Sequence, residues 1–181
     1  MNDSADLVKR HTEARVVPWN PKWHDMFLKE QAKLRGYLEK AGLKAEILHV
    51  GSTSIRDMWS KPIIDILILL PDKADPLQYS TPLSQNGVEW HGECGRPGRV
   101  FMSEDEEEIS YYIHVTTRDN PVAQDQLLFQ KLEREDATIR WNYIRVKQMA
   151  VARYPDDRSM YREMKGLYIE GVLAAYRHGQ R

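Results

Sequence analysis

Residues 47 to 70 read Ile-Leu-His-Val-Gly-Ser-Thr-Ser-Ile-Arg-Asp-Met-Trp-Ser-Lys-Pro-Ile-Ile-Asp-Ile-Leu-Ile-Leu-Leu. A short apolar run enters a small-residue turn, Gly51-Ser52-Thr53-Ser54, and the stretch ends in eight residues that are apolar except for Asp65. A run apolar on both faces is the pattern of a central strand covered on both sides. Pro62 cannot donate to a ladder, so it is placed at that strand's start. A glycine beside hydroxyl side chains lets backbone N–H groups come close to a phosphate. An acid inside a strand that should be buried is costly unless something pairs with it, and a metal ion is one such partner. The order of strand, phosphate-type turn and acid on the next strand points to nucleotide and metal chemistry.

The bulk numbers narrow the setting. The chain has 181 residues, which fits one domain, residues 1–181, with a sizeable core. Hydrophobic residues make up 41% and charged residues 29%, as in ordinary soluble proteins. A net charge of −1 argues against a general nucleic-acid or anionic-membrane surface. Cys94 is the sole cysteine, so no disulfide framework or cysteine zinc site forms within the chain, and a reducing, cytoplasmic setting is expected. The polar start, Met-Asn-Asp-Ser-Ala-Asp, is not a signal peptide, and residues 1–13 are expected to be disordered. The run from Pro62 to Pro71 is too short to span a bilayer. The five acids Glu104 to Glu108 read as a solvated hairpin tip.

Outward from the central stretch, the elements follow from pattern and punctuation. Arg15-Val16-Val17 reads as a short strand. Asn20-Pro21 starts a helix running to about Lys40. In it Trp23, Phe27, Glu30, Leu34, Tyr37 and Ala41 share a face on which all but Glu30 are expected to bury, and Gly42 ends the helix. Glu46 to Val50 is a strand, and one or two helical turns through Met58 follow the Gly-Ser turn. Ile63 to Leu70 is the central strand, followed by a short helix around Pro76 to Gln85. Val88 to Trp90, Arg99 to Met102 and Ile109 to Thr117 read as strands. The last of these alternates, with Ile109, Tyr111, Ile113 and Val115 on one face and Ser110, Tyr112, His114 and Thr116 on the other. Three helices complete the chain: one from Asn120-Pro121, a second ending before Pro155, and a third ending near Gly179.

The candidate site residues each have a plainer structural alternative. Asp65 is either a metal ligand or a buried acid paired with Lys61 or an arginine. Ser52, Thr53 and Ser54 either cradle phosphate or cap the short helix. His49 and His114 are either site groups or satisfied core histidines. Lys61 reaches a phosphate or only Asp65. Arg96 and Arg99 flank a Gly-rich loop and suit an anion, and Arg140, Arg145, Lys147 and Arg153 read as a solvated helix face.

Twelve residues, 53 to 64, separate Val50-Gly51-Ser52 from Asp65, and this spacing resembles that of the polymerase-beta-like nucleotidyltransferases. In that superfamily a hydrophobic-Gly-Ser turn precedes an acidic strand whose carboxylates hold magnesium. A second acid two residues on would lie on the same strand face. Leu67 occupies that position here, and His114 is the candidate for a third, from a neighbouring strand. A resemblance to the GrpB family covers about residues 16 to 175. It rests on Val17-Pro18-Trp19-Asn20-Pro21-Lys22-Trp23, His49-Val50-Gly51-Ser52-Thr53-Ser54, Lys61-Pro62-Ile63-Ile64-Asp65-Ile66, His114-Val115, and Tyr154-Pro155-Asp156-Asp157 with Lys165-Gly166. Gln130-Lys131 departs from the family's usual Arg-Asp.

The resemblance implies a bacterial α+β protein with a nucleotidyltransferase-like mixed sheet, flanking helices and a helical C-terminal third. It also implies a cleft-facing Lys165. The expected activity is transfer of a nucleotidyl group from a nucleoside triphosphate to a small acceptor with magnesium. In that scheme Asp65 and His114 hold metal. Gly51, Ser52, Thr53 and Ser54 cradle phosphates, Lys61, Arg99 and Lys165 offset their charge, and His114 or His49 acts as base. The alternatives are a catalytically reduced nucleotide-binding or auxiliary module, as in fusions with dephospho-coenzyme A kinases, and another NTP-dependent transferase or ligase using the same pocket.

Overall fold

The structure, a computed structural model, describes residues 15–179. The expectation of a disordered segment over residues 1–13 falls outside the described residues.

Helix α1 (Lys22–Lys40) begins where Asn20 Oδ1 accepts from the Lys22 N–H at 3.0 Å. It buries Trp23, Phe27, Leu34 and Leu38. Glu30, expected to stay out, is only 2% exposed, because Lys33 reaches Glu30 Oε2 at 2.6 Å. Gly42 closes the helix at φ 72°, with the Gly42 N–H on Glu39 O and the Leu43 N–H on Leu38 O. Paired bonds of this kind around a left-handed residue satisfy the last carbonyls. Arg15 to Val17 contributes a single bridge, Val17 to Ser60, in place of the expected strand.

Strand β1 (Glu46–Val50) leads into a one-turn 3-10 helix, Ser52–Ser54, shorter than expected because Ile55 is already extended. Strand β2 (Ile63–Leu70) follows, then helix α2 (Pro76–Gln85), β3 (Glu89–Trp90), β4 (Arg99–Asp105) and β5 (Ser110–Thr117). The sheet order is β1-β2-β5-β4-β3. Only the β2–β5 pair is parallel, so the sheet is mixed. Helices α3 (Pro121–Glu135), α4 (Ala137–Arg153) and α5 (Arg158–Gly179) form the helical C-terminal third. Asn120 and Asp136 cap the first two of these by accepting from the Val122 and Thr138 N–H groups.

The register assigns each sheet face. Ile64, Ile66 and Ile68 face α1 and α2 together with Tyr111, Ile113 and Val115. On the opposite face lie Val50, Leu67 and Leu69, packed under Ala123 of α3. Asp65, Tyr112 and His114 share that second face, since Asp65 pairs with Tyr112 and Leu67 with His114. The acidic tip is not simply solvated: Lys33 binds Glu104 at 2.6 Å and Lys29 reaches Glu106 at 3.5 Å. No helix of the described residues is long and apolar enough to cross a membrane.

Candidate functional site: a two-chambered cleft around Asp65

The second face is closed by α3 over Leu67 and Leu69, but it stays open at Asp65. Two chambers meet there, both lined by Gly51, Ser52, Asp65, Tyr143 and Lys165. The larger, about 470 Å³, extends along α3 and α5. The smaller, about 210 Å³, lies between the β2 approach, α4 and the start of α5.

Gly51 is required by this geometry. It sits at φ 70°, and a Cβ placed on it would lie 2.5 Å from Asp65 Oδ2. The turn backbone therefore lies against the carboxylate with no room for a side chain. Ser52 projects into both chambers. Its hydroxyl accepts from Lys147 Nζ at 3.0 Å, and the Tyr143 hydroxyl hydrogen-bonds it as well.

Lys147 is the residue the sequence reading misplaced. It was expected on a solvated helix face with Arg140, Arg145 and Arg153, yet it is 1% exposed. Its ammonium also donates to the Trp59 carbonyl and lies 4.5 Å from the centre of the Tyr143 ring. Burial, with Lys165 nearby, holds it below the usual lysine range, while Glu133 acts in the opposite direction. The signal for its burial was present: Tyr143, Lys147 and Ala150 lie at helical spacing on one stripe.

Two further lysines flank one aromatic ring. Lys61 Nζ lies 4.5 Å and Lys165 Nζ 5.1 Å from the centre of the Tyr161 ring. Aromatic faces attract ammonium groups in this way. Burial lowers Lys61 to about 8, helped by Arg158, Lys165 and Arg162. Lys165 is also held low by burial, with Asp65 opposing. Arg158 donates to the Tyr112 hydroxyl at 2.9 Å and completes that wall. The small chamber thus has five cations, Lys61, Lys147, Arg158, Arg162 and Lys165, against one carboxylate, Asp65.

Asp65 lies 3.5 Å from His114 Nε2, and its side chain is 30% exposed. Arg99 Nη1 meets His114 Nδ1 at 3.3 Å. Arginine only donates, so Nδ1 is the acceptor and the proton sits on Nε2, facing Asp65. His114 thus lies beside Asp65 in the larger chamber. Arg99 is only 8% exposed and also donates to Glu93 O at 2.9 Å, while its Nε has no hydrogen-bond partner among the described residues.

The remaining expected site residues are separated from the cleft. His49 lies on the opposite sheet face, stacked 4.7 Å from Phe27 and bonded to the Thr53 hydroxyl at 3.0 Å. Burial lowers it to about 4, so it is neutral near pH 7. Thr53 is buried on the same side, its carbonyl accepting from Trp19 Nε1. Ser54 donates to Gly51 O and accepts from Gln130 Nε2, which also donates to His49 O. Gln130, the departure from the family pattern, therefore pins α3 to the turn.

The donor set does not suit a two-metal centre. Leu67, at the position of a second acid, is fully buried among Val50, Leu69 and Ala123. Among the described residues, no three His, Cys, Asp or Glu side chains group to hold a metal ion. A hard divalent cation takes several oxygens, and in the small chamber one carboxylate stands among ammonium groups.

Comparison with known proteins places this geometry. The chain is 32% identical over 173 residues to UPF0157 protein PA4798 of Pseudomonas aeruginosa, covering 90% of this chain and 69% of that protein. It is 30% identical over 165 residues to UPF0157 protein YqkA of Bacillus subtilis, covering 90% of this chain but 46% of that protein. The chain thus spans under half the length of the YqkA relative. The crystal structure of conserved protein GrpB from Enterococcus faecalis superposes with a TM-score of 0.68 at 25% identity, covering 88% of this chain and 99% of that one. The Cid1 poly(U) polymerase structure with MgGTP bound superposes at 0.51 and 16% identity, over 83% of this chain and 49% of that one, which is a likeness of fold. The family described as "GrpB protein" matches residues 13–175, and the chain belongs to that family.

Proposed function

We propose that the protein binds the phosphates of a nucleoside triphosphate in the small chamber, as a nucleotide-binding or auxiliary module whose metal chemistry is reduced. One observation carries this reading: Lys61, Lys147 and Lys165 gather around the Gly51-Ser52 turn, with Lys147 bonded to the Ser52 hydroxyl. Ammonium groups in a partly dry cleft favour phosphate oxygens, and they supply the charge that magnesium would otherwise bring. The test is thermal unfolding with each nucleoside triphosphate and with tripolyphosphate, with magnesium and with a chelator. A ligand at a hundred times its dissociation constant adds about 2.7 kcal/mol. Stabilisation with the chelator present is expected. Stabilisation only with magnesium, or none with any of these ligands, overturns the reading.

Asp65 favours a second reading, transfer of a nucleotidyl group to a small acceptor. Its carboxylate faces the cleft beside Ser52, with His114 Nε2 3.5 Å away. Magnesium-dependent release of pyrophosphate that Asp65→Asn abolishes would support transfer. Its absence across a panel of acceptors would leave the binding module alone.

A further inference from the structure

The two chambers differ in charge. The larger one is lined by four carboxylates, Asp65, Asp125, Glu133 and Glu170, against three cations, Arg96, Arg99 and Lys165. Arg99 donates to His114 and Glu93 O while its Nε has no partner among the described residues, and Asp125 is paired with Arg177. Glu133, on α3, is only 2% exposed, and its Oε1 has no hydrogen-bond partner. A buried carboxylate oxygen left unpaired is costly, which makes it a receptive partner for a donor brought by a ligand. Phe129, Ile169 and Leu173 line the same chamber and offer an apolar wall to a hydrocarbon stem. Asp125 and Glu170 lie further toward solvent than Glu133. The chamber therefore combines acids nearer solvent, an apolar wall and a buried carboxylate.

We infer that the large chamber is a binding subsite for a small aliphatic amine, whose ammonium or guanidinium group is received by Glu133. Naming this ligand as the acceptor-side partner of the nucleotide rests on the reading above, whereas the subsite stands on its own geometry. The hydrocarbon stem packs against Phe129 and Leu173, and the cationic head replaces the missing partner of Glu133 Oε1. The phosphates occupy the other side of Asp65, so both ligands bind together.

The test is calorimetric titration of the full chain with agmatine, putrescine and spermidine, against 1,5-pentanediol and adenosine, each with and without tripolyphosphate. At least one amine is expected to bind, and the diol and adenosine are not. Glu133→Gln should weaken the amine by about tenfold or more while keeping or tightening tripolyphosphate. Glu133→Asp, which retains the charge, should recover part of the amine binding. Amine binding that depends on Glu133 when tripolyphosphate fails to bind would sustain the subsite and remove the phosphate reading. Tripolyphosphate binding with no amine binding, diol binding equal to amine, adenosine binding alone, or indifference to Glu133→Gln would each overturn the subsite.

Discussion

Two buried glutamates divide this molecule. Glu30, under the closed sheet face, and Glu133, beside the open one, are both 2% exposed, and burial pushes both carboxyls up. Glu30 has Lys33 at 2.6 Å, and Lys33 in turn holds Glu104, so α1 is tied to the β4 tip. Glu133 lines the larger chamber with lysines in its surroundings, and in both glutamates Oε1 has no hydrogen-bond partner among the described residues. The same residue type at the same burial has its other oxygen held by a lysine within the fold in one place and lines the cleft in the other. The first ties α1 to the sheet, and the second is the group on which the proposed amine subsite rests.

The largest effect should come from trying to make the open face resemble a metal site. Leu67→Asp would put a carboxylate where Leu67 is sealed under Ala123. It is expected to cost about 3–5 kcal/mol in chemical unfolding, the scale of an uncompensated buried charge, with no stabilisation by magnesium. Recovery of stability in magnesium would show that the face is a latent metal centre. Next in size, Lys33→Met leaves Glu30 buried and unpaired. Because the Lys33 side chain is 30% exposed, about 2 kcal/mol is expected, with ligand binding unchanged. Glu133→Gln should instead change stability little, since the proton-like amide relieves an unpaired oxygen. If the two variants destabilise equally, the contrast between the faces fails.

Gly51→Ala tests the contact between turn and carboxylate. The positive φ and the 2.5 Å approach to Asp65 Oδ2 predict a loss of about 2 kcal/mol and displacement of Asp65. Unchanged stability would mean the turn is free to move. A pH-dependent effect concerns His49 on the closed face. Its folded value of about 4 lies below the ordinary 6.5, so the unfolded chain protonates first. Stability should therefore fall as pH drops from about 6.5 toward 4, by up to about 3 kcal/mol. His49→Asn should flatten that slope, and an unaltered slope would place the titrating group elsewhere.

How far the sequence predicted this structure differs between the same two regions. Strands Glu46–Val50 and Ile63–Leu70 and the helix Pro76–Gln85 lie where their patterns place them, because apolar runs bounded by proline and turn residues leave few alternatives. The alternation of β5 likewise set which of its residues face the cleft. The site was less legible because it depends on which sheet face a side chain occupies and on partners far away in the chain. His49 and Thr53 sit beside Gly51 in sequence but point to α1. Lys147, 95 residues beyond Ser52, is bonded to it. Charged residues on a helix suggest solvent, and only the stripe through Phe129 and Glu133, or Tyr143 and Lys147, marks these two as inward-facing. Glu30 was misjudged for the same reason.

The central claim is that lysines, rather than a metal ion, complete the phosphate side of this cleft. The most direct test is calorimetric titration of ATP in the presence of a chelator, comparing the natural protein with Lys147→Met. The account predicts saturable binding without metal that Lys147→Met weakens by about tenfold or more, the loss of a charge-assisted hydrogen bond. Binding that appears only when magnesium is supplied, or that is indifferent to Lys147→Met, would contradict it.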